Sequence, residues 1–234
     1  MATANNFSKK KVAQNISNLW GGLTPEQQDL LLEHLDIHKY KKNEVIYRNL
    51  ETPTHILCLL SGKVKIYKEG IAGKNQIIRA IKANEFFAYR AYFASESYRT
   101  AAMAIENCQV ASLPIGILVK LMEQNFNISL YFIKYLCFEI GKSDDRTVNL
   151  TQKHVRARIA EALLFLKDSY GLEEDGHTLN ISLSREDLAN LSNMTTSNAI
   201  RTLSGFANEK LVELNGKKIK IVNEEQLQKI SKMG

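Results

Sequence analysis

The sequence predicts an α+β chain: an N-terminal antiparallel β-roll of the jelly-roll-like, barrel-forming kind, a long dimerisation helix, and a C-terminal winged helix-turn-helix. Three observations carry this. Short apolar and β-branched runs recur between residues 37 and 114. Residues 128–140 are apolar on nearly every side of a helix. Beyond Leu211 the hydrophobic period drops from 3.6 to 2 around Asn215 and Gly216.

At 234 residues the chain is long enough for two modest domains with proper cores. A net charge of +6 is compatible with a polyanionic partner. Cys58, Cys108 and Cys137 are far apart and form no CxxC, which argues against a zinc site or cysteine-ligated cluster and for a reducing cytoplasm. Each sits in an apolar strand or helix context and is expected to be a small buried hydrophobe. The opening MATANNFSKKK lacks the apolar core of a signal peptide, and no run of about 18 apolar residues follows, so a cytoplasmic location without a membrane partner is expected. With no GxSxG, P-loop, HExxH or GxGxxG, an enzyme is not expected.

Taken in order, Phe7, Val12, Ile16, Leu19 and Trp20 permit a short helix ended by Gly21 and Gly22. Thr24-Pro25-Glu26-Gln27 is a capping box with Pro at the first helical position, and Leu30, Leu31 and Leu35 continue an amphipathic helix. His34 and His38 could share a metal only on one helix face, yet 37–40 already reads as strand, so no metal site is expected. Residues 44–47, 55–60, 64–67, 77–81, 100–105 and 109–113 are short β runs, punctuated by Asn43, Gly62, Gly70, Gly73, Asn84 and Asn107. That spacing predicts a sandwich or barrel. Between two of these runs Phe86, Phe87, Tyr89, Tyr92 and Phe93 crowd around Arg90, which reads first as core. Arg99 beside Thr100 joins a guanidinium to a hydroxyl, chemistry suited to a phosphate or carboxylate.

Residues 115–123 predict a short helix and 128–150 a long one capped by Asn127. A helix without a solvent face needs partners on two sides: the barrel and a second subunit, or one large monomeric core. Ile133, Cys137, Ile140, Asp144 and Thr147 fall at alternating four- and three-residue steps, a seam that predicts a homodimer. The polar stretch 142–149 is expected to hold a hinge. The expected domains are therefore 1–126, an effector-sensing β-roll with flanking helices; 127–150, the long helix and hinge; and 151–234, the winged helix-turn-helix. In the last of these, Val155, Ile159, Leu163 and Leu166 face inward on one helix, and an acidic loop follows at 171–177.

Residues 184–222 carry the clearest functional signal. Ser184 is a helix N-cap with Asp187 three residues on. Asn193 suits the left-handed turn between helices, and Thr195 or Thr196 caps a second helix that buries Ala199, Leu203 and Phe206. The Asn215–Gly216 pair then signals a hairpin. Candidate DNA contacts are Ser184 and Arg185 on the first helix, Thr195, Thr196, Ser197, Asn198 and Arg201 on the second, and Lys217 and Lys218 on the wing, with Lys220 nearby. Arg pairs with guanine, Asn with adenine, and lysines with phosphate. From Gln152 onward 12 lysines and arginines meet 11 aspartates and glutamates, so a basic footprint must come from arrangement on one face. The same near-neutrality supports the rival reading, a ligand-binding or protein-interaction module whose winged helix does not read DNA.

RARIAEALL at 156–164, LSREDLANLSNMTTSNAIRTL at 183–203 and NGKKIKI at 215–221 resemble the Crp/Fnr superfamily of bacterial transcription regulators, over nearly the whole chain. The resemblance implies a homodimer on double-stranded DNA with a two-fold symmetric site, read through Thr196, Ser197 and Arg201, and output through RNA polymerase. It also implies an effector site. The family's cyclic-AMP cassette has a Gly–Glu pair, where Ala88–Tyr89 stand here, and an Arg-Ser/Thr pair matched by Arg99–Thr100. Ser143 and Asp144 match positions that touch the base. The missing ribose-binding carboxylate counts against cyclic AMP and leaves another anionic small molecule open. The cysteine cluster of the oxygen-sensing branch is absent, so an iron–sulfur cluster is not expected, while haem stays open without a well-placed His.

Overall fold

The structure, a computed structural model, describes residues 7–70 and 75–233, so the expected punctuation at Gly73 lies outside the described residues. Two units form: Met1–Ile66 with Arg79–Ile140, and Tyr67–Ile78 with Gly141–Gly234.

In the first unit, Ser8 caps α1 (Lys9–Leu19), and Thr24 and Gln27 close the expected capping box on α2 (Pro25–His34). The strands are β1 (Asp36–Tyr40), β2 (Val45–Tyr47), β3 (His55–Ser61), β4 (Val64–Glu69), β5 (Asn75–Ile81), β6 (Phe86–Phe87), β7 (Ala101–Ala104) and β8 (Cys108–Pro114), with a one-turn α3 (Arg90–Phe93) after β6; residues 67–69 of β4 and 75–78 of β5 belong to the second unit. They make two four-stranded sheets, ordered β1-β8-β3-β6 and β2-β7-β4-β5, and every pairing in the first is antiparallel. Strand β3 (His55–Ser61) explains why residues 56–60 are apolar throughout rather than alternating. Its Leu57 and Leu59 enter the core with Val64, Ile66, Ile81 and Phe87, while Ile56, Cys58 and Leu60 face a second core with Trp20, Leu31 and Leu118. Gly62 turns the chain at φ +84, where a Cβ would meet the Asn107 carbonyl oxygen at 2.5 Å. Burial pushes the Cys58 and Cys108 thiols up to about 12, as expected of small buried hydrophobes. Cys137 departs from that expectation and is exposed. His38 meets the Ser112 hydroxyl at 3.1 Å, and His34 the Leu30 carbonyl.

Helices α4 (Ile115–Gln124) and α5 (Phe126–Gln152) follow, the latter 27 residues long. The cap expected at Asn127 is instead Asn125, whose Oδ1 accepts from the Asn127 amide at 3.1 Å. With only one residue between the helices, that residue ends one and starts the next. Stretch 142–149, expected to hold a hinge, is helical. It is polar but has no Gly or Pro, and the Thr147 hydroxyl, like that of Thr151 just beyond it, donates to a carbonyl one turn back along the helix. The break falls after Gln152.

The second unit holds α6 (Val155–Tyr170), α7 (Arg185–Leu191), α8 (Thr196–Asn208), the hairpin β9 (Val212–Asn215) with β10 (Lys218–Ile221), and α9 (Glu224–Lys232). Ala157, Ile159, Ala160, Leu163 and Leu166 bury one face of α6, against which α9 packs. The hairpin pairs Asn215 with Lys218, so its two loop residues are Gly216 and Lys217, one step beyond the expected Asn–Gly turn. Gly216 at φ 57 takes the first loop position, where a type II′ turn needs glycine. Thr178 bridges to Lys220 and adds a short third rung to the wing. Among the described residues no helix is long and apolar enough to cross a membrane.

Candidate nucleic-acid interface

The helix-turn-helix is built by local rules. The Ser184 hydroxyl accepts from the Asp187 amide at 2.9 Å and donates to its carboxylate at 2.8 Å, which commits Ser184 to capping α7. Asn193 takes the left-handed turn at φ 50, as its residue type predicts. Thr195 caps α8, its Oγ1 accepting from the Asn198 amide at 3.3 Å. Ala199, Leu203 and Phe206 are fully buried beneath α8, so its outer face is fixed by its inner one.

That outer face carries Thr196, Ser197 and Arg201, all exposed, with Asn198 half-buried beside them. No acidic residue lies in the first turn of α8, so the positive end of its dipole is uncompensated toward an anionic partner. Among the described residues Arg201 makes no hydrogen bond or ion pair, and neither does Lys217 at the wing tip. The other wing lysines are engaged: Lys218 pairs with Glu173 at 2.8 Å and Lys220 with Glu213 at 3.2 Å. Arg185 donates to the Gly216 carbonyl at 2.8 Å, joining the start of α7 to the wing tip. Asp175 orders the segment beside the wing. The Thr178 hydroxyl, then the Thr178 and His177 amides, donate to it and hold its carboxyl well below the usual range.

Two positioning residues escaped the sequence reading, although both lie in the quoted 156–164 motif. Arg156 on α6 makes a bidentate pair with Glu209 at the end of α8, 2.7 Å for each bond, and stacks 4.9 Å over the Phe206 ring. The pairing lowers the Glu209 carboxyl and raises the guanidinium. Arg158 donates to the Asn193 carbonyl at 2.8 Å, so the inter-helix turn is held from the same helix. An Arg-x-Arg pair on an otherwise inward-facing helix was the available signal.

In the first unit, Ala88 and the 98–100 stretch do come together, through the Tyr98 hydroxyl donating to the Ala88 carbonyl at 3.0 Å. Ala88 keeps a left-handed φ of 71, a conformation that suits glycine. Tyr89 is buried against Phe132, with ring centroids 5.0 Å apart, and among the described residues its hydroxyl has no hydrogen-bond partner. Arg99 is exposed and paired at 2.7 Å with Glu96, which also holds Arg90 at 2.8 Å. The Thr100 hydroxyl lies 3.3 Å from that of Tyr47. A link that sequence reasoning did not find joins β5 to α5: Arg79 donates to the Tyr135 hydroxyl at 2.6 Å and pairs with Glu139 at 2.9 Å. A lone Arg in an apolar strand and a lone Glu in an apolar helix were its signal. On α5, Ile128 and Phe132 are buried while Ile133, Cys137 and Ile140 are exposed. Ser143, Asp144 and Thr147, in the second unit, are exposed too.

Comparison with known proteins matches residues 37–125 to the cyclic nucleotide-binding domain family and residues 157–230 to the Crp-like helix-turn-helix domain family. The CRP-like cAMP-activated global transcriptional regulator of Mycobacterium tuberculosis is 21% identical over 213 residues, 90% of this chain and 95% of that one. The HTH-type transcriptional regulator ArcR of Staphylococcus haemolyticus is 27% identical over 187 residues, 77% and 80% of the two chains. Among solved structures, FixK2 from Bradyrhizobium japonicum superposes with a TM-score of 0.77 at 21% identity, covering 86% of this chain and 98% of its own. TTHB099, a CRP-family transcriptional regulator from Thermus thermophilus, superposes with a TM-score of 0.70 at 19% identity over 83% and 96%.

Proposed function

Because the chain belongs to the Crp/Fnr family of DNA-binding transcription regulators, we propose that it acts as a homodimer on a two-fold symmetric duplex, with one α8 in each of two major grooves. The observation that carries this is Arg201, an unpaired guanidinium on the outer face of a helix whose inner face is fully buried. Exposed Ile133, Cys137 and Ile140 support α5 as the shaft that pairs two copies. The half-sites would lie about 34 Å apart, one turn of duplex. Residues 1–126 would sense a signal, 127–150 pair the copies, and 151–234 bind DNA in the cytoplasm, with output through RNA polymerase.

For the sensing part, cyclic AMP is not the effector we propose. Tyr89 fills the interior where the ribose carboxylate would stand, and Arg99 is engaged by Glu96. Another anionic small molecule fits better. Arg79 offers it a half-buried guanidinium, and drawing Arg79 from Glu139 would loosen what ties β5 to α5. Ser143 and Asp144 remain candidates for contact further along that helix.

Replacing Arg201 by alanine should weaken the preferred duplex by ~1–3 kcal/mol and relax sequence choice at one base pair per half-site. Competition binding against random duplex checks this, and equal losses on both would confine Arg201 to phosphate. Lys217→Ala should reduce the magnitude of the log K against log salt slope by about 0.9 per subunit. Lys218→Ala should reduce it less, because Glu173 already neutralises that lysine in the unbound protein. A slope unchanged by both substitutions would take the wing off the duplex.

A further inference from the structure

One side chain on the outer face of α8 differs in chemistry from its neighbours. Ile200 is 47% exposed and lies outside the buried stripe of Ala199, Leu203 and Phe206. Its helical neighbours Thr196, Ser197 and Ser204, one turn away on either side, are polar and exposed, as is Arg201 beside it. Single exposed apolar residues are common on protein surfaces, so exposure alone decides nothing. Position decides. This isoleucine precedes the unpaired arginine directly, in the half of the helix that reaches base edges, and as a β-branched residue it is not there for helix propensity. The major groove offers an apolar partner in the C5-methyl group of thymine.

We propose that Ile200 reads thymine, seating its side chain on the C5-methyl group next to the base pair that Arg201 addresses. The assignment rests on α8 being the reading helix, and adds to it a named base and the atom recognised. The hydroxyls on this face do not supply that choice, because Thr and Ser bond to several bases, whereas the C5-methyl group sets thymine apart from the other DNA bases in the major groove.

The test selects a preferred duplex from a random pool with the full-length protein, then replaces each thymine in turn by uracil. An A·U pair keeps both hydrogen-bonding groups and loses only the methyl. Wild type should lose about fourfold when the contacted thymine is replaced in one half-site, the factor for one buried methyl, and about fifteenfold when it is replaced in both. Ile200→Ala should bind thymine and uracil duplexes equally there while keeping its preference at the Arg201 base pair. Ile200→Val should retain part of the discrimination. Both variants should melt with wild type, since the side chain is not in the core. A wild type indifferent to uracil at every thymine overturns the assignment but leaves DNA reading standing, and so does Ile200→Ala that keeps the full discrimination. A selection yielding no preferred sequence overturns both.

Discussion

Ile133→Asp with Ile140→Asp will leave the protein monomeric at micromolar concentration and weaken its hold on a symmetric duplex by about 10²–10⁴-fold. Both side chains are exposed on α5, 51% and 60%, and stand seven residues apart, so they return to the same edge of the helix. Burying an isoleucine fully contributes ~1.5–3 kcal/mol, and a two-fold axis doubles every such contribution. Aspartate would instead set like charges against each other across the seam. Because neither residue is in the core of its own subunit, the variant should fold, and its far-ultraviolet circular dichroism should match wild type. Sedimentation equilibrium reads the assembly, and titration with whole and half sites reads the lost linkage. An unaltered dimer would move the interface off this edge of α5.

Phe206→Ala will cost ~3–5 kcal/mol and release the reading unit from its fold. The ring is fully buried and carries the Arg156 guanidinium on its face, while Arg156 in turn holds Glu209 at the end of α8. Truncation therefore opens a cavity and also removes the surface on which that arginine rests. The chain's one tryptophan, Trp20, lies in the other unit, so its fluorescence reports unfolding there. Urea titration followed by circular dichroism and fluorescence should show an early loss of helix ahead of the Trp20 transition. A loss under about 1 kcal/mol would mean that neighbours collapse into the space and that Phe206 does not organise the core.

What could be read from the sequence was what neighbours in the chain decide. Thr24 with Gln27, Asn193, and the stripe of Ala199, Leu203 and Phe206 depend on side chains within a turn or two of each other, and each stands where residue type puts it. The hairpin was found but its loop misplaced by one, because Asn215–Gly216 suits a type I′ loop while Gly216 equally opens a type II′ loop one step on, and the cross-strand register separates them. At 142–149 polarity suggested a hinge inside the long helix; the stretch is helical, and the helix runs two residues past its expected end, to Gln152. β6 and α3 went unseen because the aromatic segment around them has no period. The Arg79, Tyr135 and Glu139 link was out of reach because its partners lie on elements far apart in the chain. At the reading face, polar residues were noticed for their chemistry and Ile200 was passed over as ordinary.

The bond from Arg185 to the Gly216 carbonyl has a consequence for which operators the protein accepts. It braces the start of α7 against the hairpin that carries Lys217, so that with α8 and the wing both on the duplex, as proposed, the two would act as prongs of one caliper. A caliper of set span measures width. Duplex whose own sequence narrows or spreads its grooves will fit one setting better than another, and base pairs that no side chain touches will contribute to the choice through stiffness alone.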